Sequence, residues 1–173
     1  MDVPYRVQQF LRALVAQRRV SQQRVEGAIA LLNPRAQVLF GQQASHDQEH
    51  ALVVWEALGQ TGHTSEDLLA AALLHDVGKS VSPFHPWQRA VFTLIEHFAP
   101  RALDRATRTP AGGLRHRLWQ YARHAEIGAA LAKDAGCSPV TVRLILRHED
   151  QLHTCQTEED RWLVALQTVD DVS

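Results

Sequence analysis

The sequence predicts an all-α protein that folds as a single-domain helical bundle. Alanine and leucine, both strong helix formers, make up 44 of the 173 residues. No segment alternates apolar and polar residues with the β-branched enrichment that is typical of a strand. Glycines fall at or near the gaps between the apolar-periodic segments. A chain of 173 residues is of ordinary length for one domain and long enough to bury a sizeable core.

Helical periodicity and breaker residues define the predicted elements in order. The predicted helices span residues 3–17, 21–32, 35–41, 45–60, 65–76, 83–98, 116–134, 139–148 and 158–171. The helix over 116–134 is expected to break near Arg123. The stretch 107–113, which ends in two glycines, is expected to form the most mobile loop.

Four places carry helix-start signals. Residues 45–48 and, more loosely, 157–160 fit a capping box, in which a Ser or Thr and a polar residue three positions later cap the helix reciprocally. Ser82-Pro83 and Ser138-Pro139 each place a cap residue before a proline at the first helical position. These signals support helices that begin at 45, 83, 139 and 158.

Composition excludes several classes of protein. With 18 Lys+Arg against 19 Asp+Glu, the net charge of -1 gives no global attraction to nucleic acid or membrane. The longest wholly apolar run, 68–74, is too short to span a bilayer, and the N-terminus lacks a signal pattern. Two cysteines without a CxxC motif exclude a disulfide scaffold and a cysteine zinc cluster. We expect a cytoplasmic protein with no membrane partner.

Charge is distributed unevenly along this nearly neutral chain. Residues 101–147 carry an excess of basic side chains, and residues 148–173 carry an excess of acidic ones. Two interpretations stay open. The segments form two faces that attract each other, or a phosphate-binding region lies beside a metal-binding region.

The ten histidines are the unusual feature of the composition. Four of them lie on apolar helix faces that should be buried, namely His50, His75, His124 and His148. A single inward histidine is more often a core residue bonded to a carbonyl than a metal ligand. Four in one small helical domain would each need a buried partner, and convergence on a metal ion satisfies them together. The histidines expected on loops or the surface are His63, His85, His97, His116 and His153.

His46 lies one turn before His50 on the same face. It is interpreted either as an acid, base or support for a metal ligand, or as a buried structural histidine.

The strongest local pattern runs from His75 to Lys79. Adjacent helical residues diverge by about 100°, so His75 and Asp76 reach one ion only if the helix ends there, and Gly78 supplies such a break. Lys79 is one of two lysines, against 16 arginines, and a compact cation beside a metal suits a phosphate oxygen. The alternative is a helix C-cap whose lysine favours the helix dipole.

A last candidate ligand stands near the C-terminus. Asp170 continues the apolar stripe of Leu163 and Leu166, so its carboxylate is expected to point inward. Asp171 continues a more polar line and is expected to be solvated.

These residues resemble the HD-domain superfamily of metal-dependent phosphohydrolases. The matching segments are residues 50–54, 70–79, 124–129, 145–149 and 169–170, and the resemblance spans roughly 43–171. It implies a helical core that holds a divalent metal through His50, His75, Asp76 and Asp170. Members with two metals add further histidines, and His124 and His148 stand at comparable places, with Asp76 as a bridge.

The chain departs from the family pattern in three ways. Ala125 stands where many members have proline, and Arg147 stands where some binuclear members have a second histidine. No Gly-Tyr-Pro follows His148, which argues against the cyclic-di-nucleotide phosphodiesterase branch.

The resemblance also defines the expected domain organisation. Residues 43–173 form the HD domain, and residues 1–42 form a helical extension packed on this core. The apolar side of the extension caps the core or forms a dimer face.

The expected function is hydrolysis of a phosphoester of a nucleotide or related small phosphate by a metal-activated water. The cofactor would be one or two divalent ions, chosen from Mn, Fe, Co, Ni, Zn and Mg. Asp76 and Lys79 are the catalytic candidates, and Lys79, Arg123 and Arg147 are the candidate substrate contacts.

Three alternatives stay open beside this expectation. They are a non-catalytic metal-binding HD regulatory module, an HD-type di-iron oxygenase, and a nucleic-acid binder that uses residues 101–123. The inward histidines argue against the last, because nucleic-acid binding needs no such stripe.

Overall fold

The computed structural model of the protein describes residues 22–81, 113–152 and 154–172, and every regular element within them is helical. The all-α prediction is therefore confirmed for these residues. The α-helices are α1 (Gln22–Ile29), α2 (Pro34–Gln42), α3 (Ser45–Gln60), α4 (Glu66–Leu74), α5 (Leu114–Tyr121), α6 (His124–Asp134), α7 (Pro139–Arg147) and α8 (Glu158–Asp170), and a 3₁₀ helix (Val77–Val81) follows α4. Within the described ranges, no helix combines the length and the apolar character needed to cross a membrane.

Helix α4 forms the centre of the bundle. From Leu68 onwards it is apolar on all sides, which is typical of a helix surrounded by others. It packs against α3 and α7, and α8 packs against the same two helices. Its buried side chains are Leu68, Ala71, Ala72, Leu73 and Leu74. Because α4 is central, the residues that follow its C-terminal end emerge in the middle of the molecule.

Helices α1 and α2 belong to the same hydrophobic core. Their buried members are Ala28, Leu32, Ala36, Leu39 and Phe40. Arg24 of α1 also binds Glu49 and Glu56 of α3, with a nitrogen-to-oxygen distance of 2.6 Å in each ion pair. The described part of the predicted extension thus lies against the core, and residues 1–21 lie outside the described residues.

The helix boundaries confirm two of the four start signals. Ser138 caps α7 by accepting a hydrogen bond from the Thr141 amide, and residues 157–160 form a full capping box at α8. The predicted break near Arg123 separates α5 from α6. The predicted helices 3–17 and 83–98, the Ser82-Pro83 signal and most of the loop 107–113 lie outside the described residues.

The predicted capping box at residues 45–48 is wrong. The N-cap of α3 is Ala44, which makes no side-chain cap. The Gln48 amide instead donates to the carbonyl of Gln43 at 2.9 Å and to that of Gly41 at 3.3 Å. Gln48 therefore ties α3 to the end of α2.

Glycine is required at position 78 for a different reason than the helix break that was expected. The chain changes from α-helix to 3₁₀ helix after α4, and Gly78 lacks the positive φ of a glycine helix cap. A Cβ at this position would lie 1.9 Å from the carbonyl oxygen of His124 and 2.7 Å from the amide nitrogen of Gly128. The glycine thus allows the 3₁₀ helix and α6 to touch backbone to backbone.

Residues of the basic and acidic segments pair with each other. Arg143 of α7 binds Glu159 of α8 at 2.8 Å, and Arg147 binds Asp160 at 3.2 Å. For these residues, the structure agrees with the first interpretation of the charge asymmetry, in which two faces attract each other.

Candidate metal centre

Three of the four inward histidines have their ring orientation set by the backbone. In each ring, Nδ1 donates a hydrogen bond to the carbonyl of the residue three positions earlier. The acceptors are the oxygens of Ala72 for His75, Tyr121 for His124 and Ile145 for His148, at 2.9, 2.9 and 2.7 Å. Because a carbonyl can only accept, Nδ1 carries the proton and Nε2 of the neutral ring presents a lone pair. This is the usual support of a metal-binding histidine.

A first group of potential ligands forms around Asp170. Its Oδ1 lies 2.6 Å from Nε2 of His50 and 3.3 Å from Nε2 of His75. Asp76 completes the group, with Oδ2 at 3.7 Å from Nε2 of His75. The inward orientation predicted for Asp170 thus agrees with its position.

A second group forms on the other oxygen of Asp76. Oδ1 of Asp76 lies 3.4 Å from Nε2 of His124 and 3.8 Å from Nε2 of His148, and these two nitrogens are 3.2 Å apart. Asp76 therefore faces one group with each carboxylate oxygen. Two sets of donor atoms, His50–His75–Asp76 and Asp76–His124–His148, are close enough to hold an ion.

One buried nitrogen tests whether a metal fits these groups. His75 is fully buried, and its Nε2 has no hydrogen-bond partner among the described residues, since the contact with Asp170 lacks hydrogen-bond geometry. An unsatisfied buried polar atom is costly. A divalent ion would accept this lone pair, so the residues fit a metal.

Both carboxylates are held in their ionised form. Burial opposes ionisation of Asp76, yet His75, His124 and Lys79 outweigh it and hold the pKa of Asp76 well below its ordinary value. Burial likewise opposes ionisation of Asp170, but the hydrogen bond with His50 and the neighbouring charge of His75 lower its pKa. Two ionised carboxylates, one buried and one partly buried, therefore face the candidate ligand groups.

The imidazoles divide into a charged and a neutral member. Burial disfavours a proton on His75, but the carboxylates of Asp76 and Asp170 raise its pKa to about 9. Burial and the neighbouring charge of His75 lower the pKa of His148 to about 4. In the metal-free protein, a proton on His75 thus partly balances the two carboxylates.

Lys79 extends from the 3₁₀ helix to the same centre. Its Nζ lies 2.6 Å from Oδ2 of Asp76 and 5.9 Å from the ring centre of Tyr121. Burial opposes the charged form of Lys79, but Asp76 outweighs it and raises the pKa of the ammonium group, with a smaller contribution from Asp47. Lys79 is therefore a fixed cation beside the shared carboxylate.

The alternative in which His46 is a buried structural histidine is wrong, and its neighbour Asp47 takes the buried position. The side chain of His46 is 50% exposed, whereas that of Asp47 is 6% exposed. The buried face of α3 includes Asp47, Ala51, Val54 and Leu58. This face leaves His46 outside and His50 at its edge, where it reaches Asp170.

The two groups open into a cavity of about 710 Å³. Its described lining residues are His50, Asp76, Lys79, His124, His148, Glu149, Asp150, Gln151, Leu152, Val164, Gln167, Asp170 and Asp171. The candidate ligands and Lys79 form one part of the wall. Leu152 and Val164 supply apolar surface, and carboxylates that follow His148 and Asp170 stand at the rim. A cavity of this size suits a small organic ligand.

The two arginines predicted to contact substrate are occupied elsewhere. Arg123 binds Glu126 at 2.8 Å, and its guanidinium lies 5.6 Å from the ring centre of Trp119. Arg147 binds Asp160 and lies 3.5 Å from Asp150. Neither arginine is among the described residues that line the cavity.

The remaining histidines stand apart from the centre. His63 is partly buried, and His116 stacks on Trp119 with ring centres 5.8 Å apart. His85, His97 and His153 lie outside the described residues.

Sequence reasoning missed two residues next to the second group. Oε1 of Glu149 lies 3.5 Å from Nε2 of His124. The Gln167 amide donates to the carbonyls of His148 and Asp150, at 3.0 and 2.8 Å. Glu149 directly follows His148, and Gln167 precedes Asp170 by one helical turn, so proximity to a ligand in the sequence was the available signal.

Comparison of the chain with protein-family models, with curated proteins and with solved structures finds no match. The chemistry of the centre therefore has to be inferred from its own residues.

Proposed function

We propose that this protein is a metal-dependent phosphohydrolase of the HD-domain type, which cleaves a phosphoester of a nucleotide or related small phosphate. The observation that supports this most is the position of Asp76. Its two oxygens face two groups of imidazoles. The Lys79 ammonium lies 2.6 Å from Oδ2 of Asp76, and both residues line the cavity.

The donor set defines which cofactors would suit the centre. Imidazole and carboxylate donors suit Mn, Fe, Co, Ni, Zn or Mg. His50, His75, Asp76 and Asp170 would hold one ion, and Asp76, His124 and His148 would hold a second. A bound divalent ion supplies Lewis-acid polarisation of a phosphoryl oxygen and lowers the pKa of water.

The chain's own residues would bind and orient the substrate. One hydrogen of the Lys79 ammonium goes to Asp76, and the others would bind a phosphoryl oxygen in the cavity. Because the ammonium is fixed, it would neutralise the negative charge that grows on the phosphoryl group without reorganisation. Leu152 and Val164 would contact the organic part of the substrate and exclude water from it.

The proposal places this activity in the cytosol. Cys137 and Cys155 are both free thiols, which suits a reducing compartment.

A phosphatase screen tests the proposed function. The protein is treated with chelator, reloaded with each of the six metals, and incubated with a panel of nucleotides and sugar phosphates while phosphate release is measured. We expect release from at least one substrate, loss of release with chelator, and loss of release in Asp76→Asn. Absence of release with every metal and substrate would contradict the proposal.

The same preparations separate the alternatives. Stoichiometric metal and ligand binding without turnover would favour a regulatory HD module. About two bound irons with oxygen uptake would favour a di-iron oxygenase.

A further inference from the structure

We propose that Glu149 is a ligand of the second metal ion, so that each ion receives two imidazoles, one carboxylate of its own and the shared carboxylate of Asp76. The inference rests on the metal-dependent function proposed above. It adds a residue that neither the sequence pattern nor the resemblance assigned.

The two groups of donors differ in the carboxylates that they offer. The first group offers His50, His75 and Asp170 together with Asp76. The second offers His124 and His148 together with Asp76, and among the residues of the donor sets described above it has no carboxylate of its own. Glu149 supplies the donor type that is missing.

The distances between donor atoms also support Glu149 as a ligand. Donors about 2.1 Å from one ion lie roughly 3 to 4 Å from each other. Oε1 of Glu149 is 3.5 Å from Nε2 of His124, and that nitrogen is 3.4 Å from Oδ1 of Asp76 and 3.2 Å from Nε2 of His148. The contact of Glu149 with His124 thus falls in this range, whereas the donor atoms that all lie within 4.8 Å of one another are those of Asp76, His124 and His148.

Hydrogen bonds hold the backbone on both sides of Glu149. The Gln167 side chain donates to the carbonyl before Glu149 and to the carbonyl after it. The amide of Asp150 also donates to the carbonyl of Arg147, at 2.8 Å, which closes a turn around this position. A metal ligand has to be preorganised in this way to bind tightly. Gln167 is therefore a positioning residue that joins the loop of the second group to α8, which carries Asp170.

The summed charge of the carboxylates also supports Glu149 as a ligand. Asp76, Asp170 and Glu149 provide three carboxylates for two divalent ions, which leaves the metal pair with a small positive charge. Such a pair is still attractive to a phosphate group, and the adjacent Lys79 strengthens this attraction. With two equal donor sets, both ions would be of the same kind.

The experiment measures metal binding rather than activity. The full chain is stripped with chelator and titrated with Mn²⁺ alone, and bound metal is counted by elemental analysis and calorimetry. We expect two ions in the unaltered protein. Glu149→Gln should weaken the second ion by more than about tenfold and leave the first unchanged. Folding of this variant, whose altered side chain is 56% exposed, is checked by circular dichroism.

Asp171→Asn is the matched control, because it removes one exposed carboxylate from the lining of the same cavity. We expect it to bind two ions with unchanged affinity. Equal weakening in both variants would mean a general charge effect and would overturn the assignment of Glu149. So would two tightly bound ions in Glu149→Gln, or fewer than two ions in the unaltered protein.

The outcome is distinct from that of the phosphatase screen. Loss of the second ion in Glu149→Gln supports the ligand assignment even if no phosphoester is cleaved. Retention of two ions with loss of turnover overturns it and assigns Glu149 a role in proton transfer instead.

Discussion

Asp76 is the residue on which both ligand groups and the Lys79 ammonium depend. Its oxygens face His75 on one side and His124 and His148 on the other, and Lys79 is its ion-pair partner. Replacement of this one carboxylate therefore affects metal binding and stability together.

We expect Asp76→Asn to lower the free energy of unfolding of the metal-free protein by about 3 kcal/mol, because it leaves the partly buried Lys79 without its partner. The side chains of this pair are 6% and 18% exposed. Urea denaturation in chelator measures the effect. Asp171→Asn, which alters an exposed carboxylate, should leave the urea midpoint unchanged. Equal midpoints for Asp76→Asn and the unaltered protein would mean that the pair contributes nothing.

Gly78→Ala should destabilise the protein by about 2–3 kcal/mol, because the new methyl group would overlap the carbonyl of His124 and force α6 away from the 3₁₀ helix. Gly59→Ala is the matched control. A Cβ at Gly59 meets nothing within 4 Å, so this helical substitution should raise stability by about 0.5–1 kcal/mol. Thermal unfolding compares the two. A similar change in both variants would contradict the backbone contact.

Single residues of the centre were predictable where their position in the sequence repeats with a helical period. This applies to Asp170, which follows a clear apolar stripe. The position of Asp47 was not predictable in the same way, because three- and four-residue spacings share a face and the choice between positions 46 and 47 depends on how α2 meets α3. Glu149 and Gln167 became visible only when two loops and helices were brought together.

At the scale of elements, helices whose ends carry their own signal were predicted best. Residues 157–160 and Ser138-Pro139 define the starts of α8 and α7 locally, so no distant contact is needed. The 3₁₀ helix was not predicted, since it forms where α6 presses on Gly78. That contact joins residues more than a quarter of the chain apart, which a local pattern does not contain.

The capping box of α8 leads to a prediction about stability. Thr157→Ala should lower the free energy of unfolding by about 1 kcal/mol, because the amide of Asp160 loses its acceptor at 3.0 Å. Thr168→Ala is a suitable control near the other end of the helix, since its hydroxyl donates to a carbonyl that is already part of the helix. Urea midpoints at neutral pH compare the two. Equal losses would show that the cap itself has no special weight.

The same capping box predicts a pH dependence. Hydrogen bonds from the backbone amide of Thr157 and that of Gln156 lower the pKa of Asp160 to about 2. An ordinary aspartate has a pKa of about 3.9. The stabilisation by Asp160 is therefore complete above about pH 4 and is lost as the pH falls towards about 2.

The comparison of the unaltered protein with Asp160→Asn isolates this effect from other acidic groups. We expect the difference between their urea midpoints to shrink between about pH 4 and about pH 2. A difference that is as large at pH 2 as at pH 7 would mean that the ionised form of Asp160 is not the source.

At the scale of the whole molecule, the candidate metal ligands join four parts of the bundle. The donor atoms come from α3, the end of α4, the α6–α7 pair and α8. A ligand that binds only the folded state stabilises it by mass action. A bound ion should therefore stabilise the whole fold against unfolding.

We expect a divalent ion at a hundred times its dissociation constant to raise the unfolding temperature by about 5–10 °C. The rise should vanish with chelator and in Asp76→Asn, which alters both ligand groups. Scanning calorimetry with and without Mn²⁺ measures the shift. A shift of equal size in Asp76→Asn would mean that the ion stabilises the protein somewhere else.

The hydrogen bond between His50 and Asp170 joins residues 120 positions apart in the chain. During synthesis on the ribosome, the first ligand is made long before the last, and the first group is complete only when α8 has emerged and docked. A growing chain therefore has no finished place for this ion, whatever the metal supply of the cell. An ion bound at the first group would therefore mark a chain in which α8 has already docked.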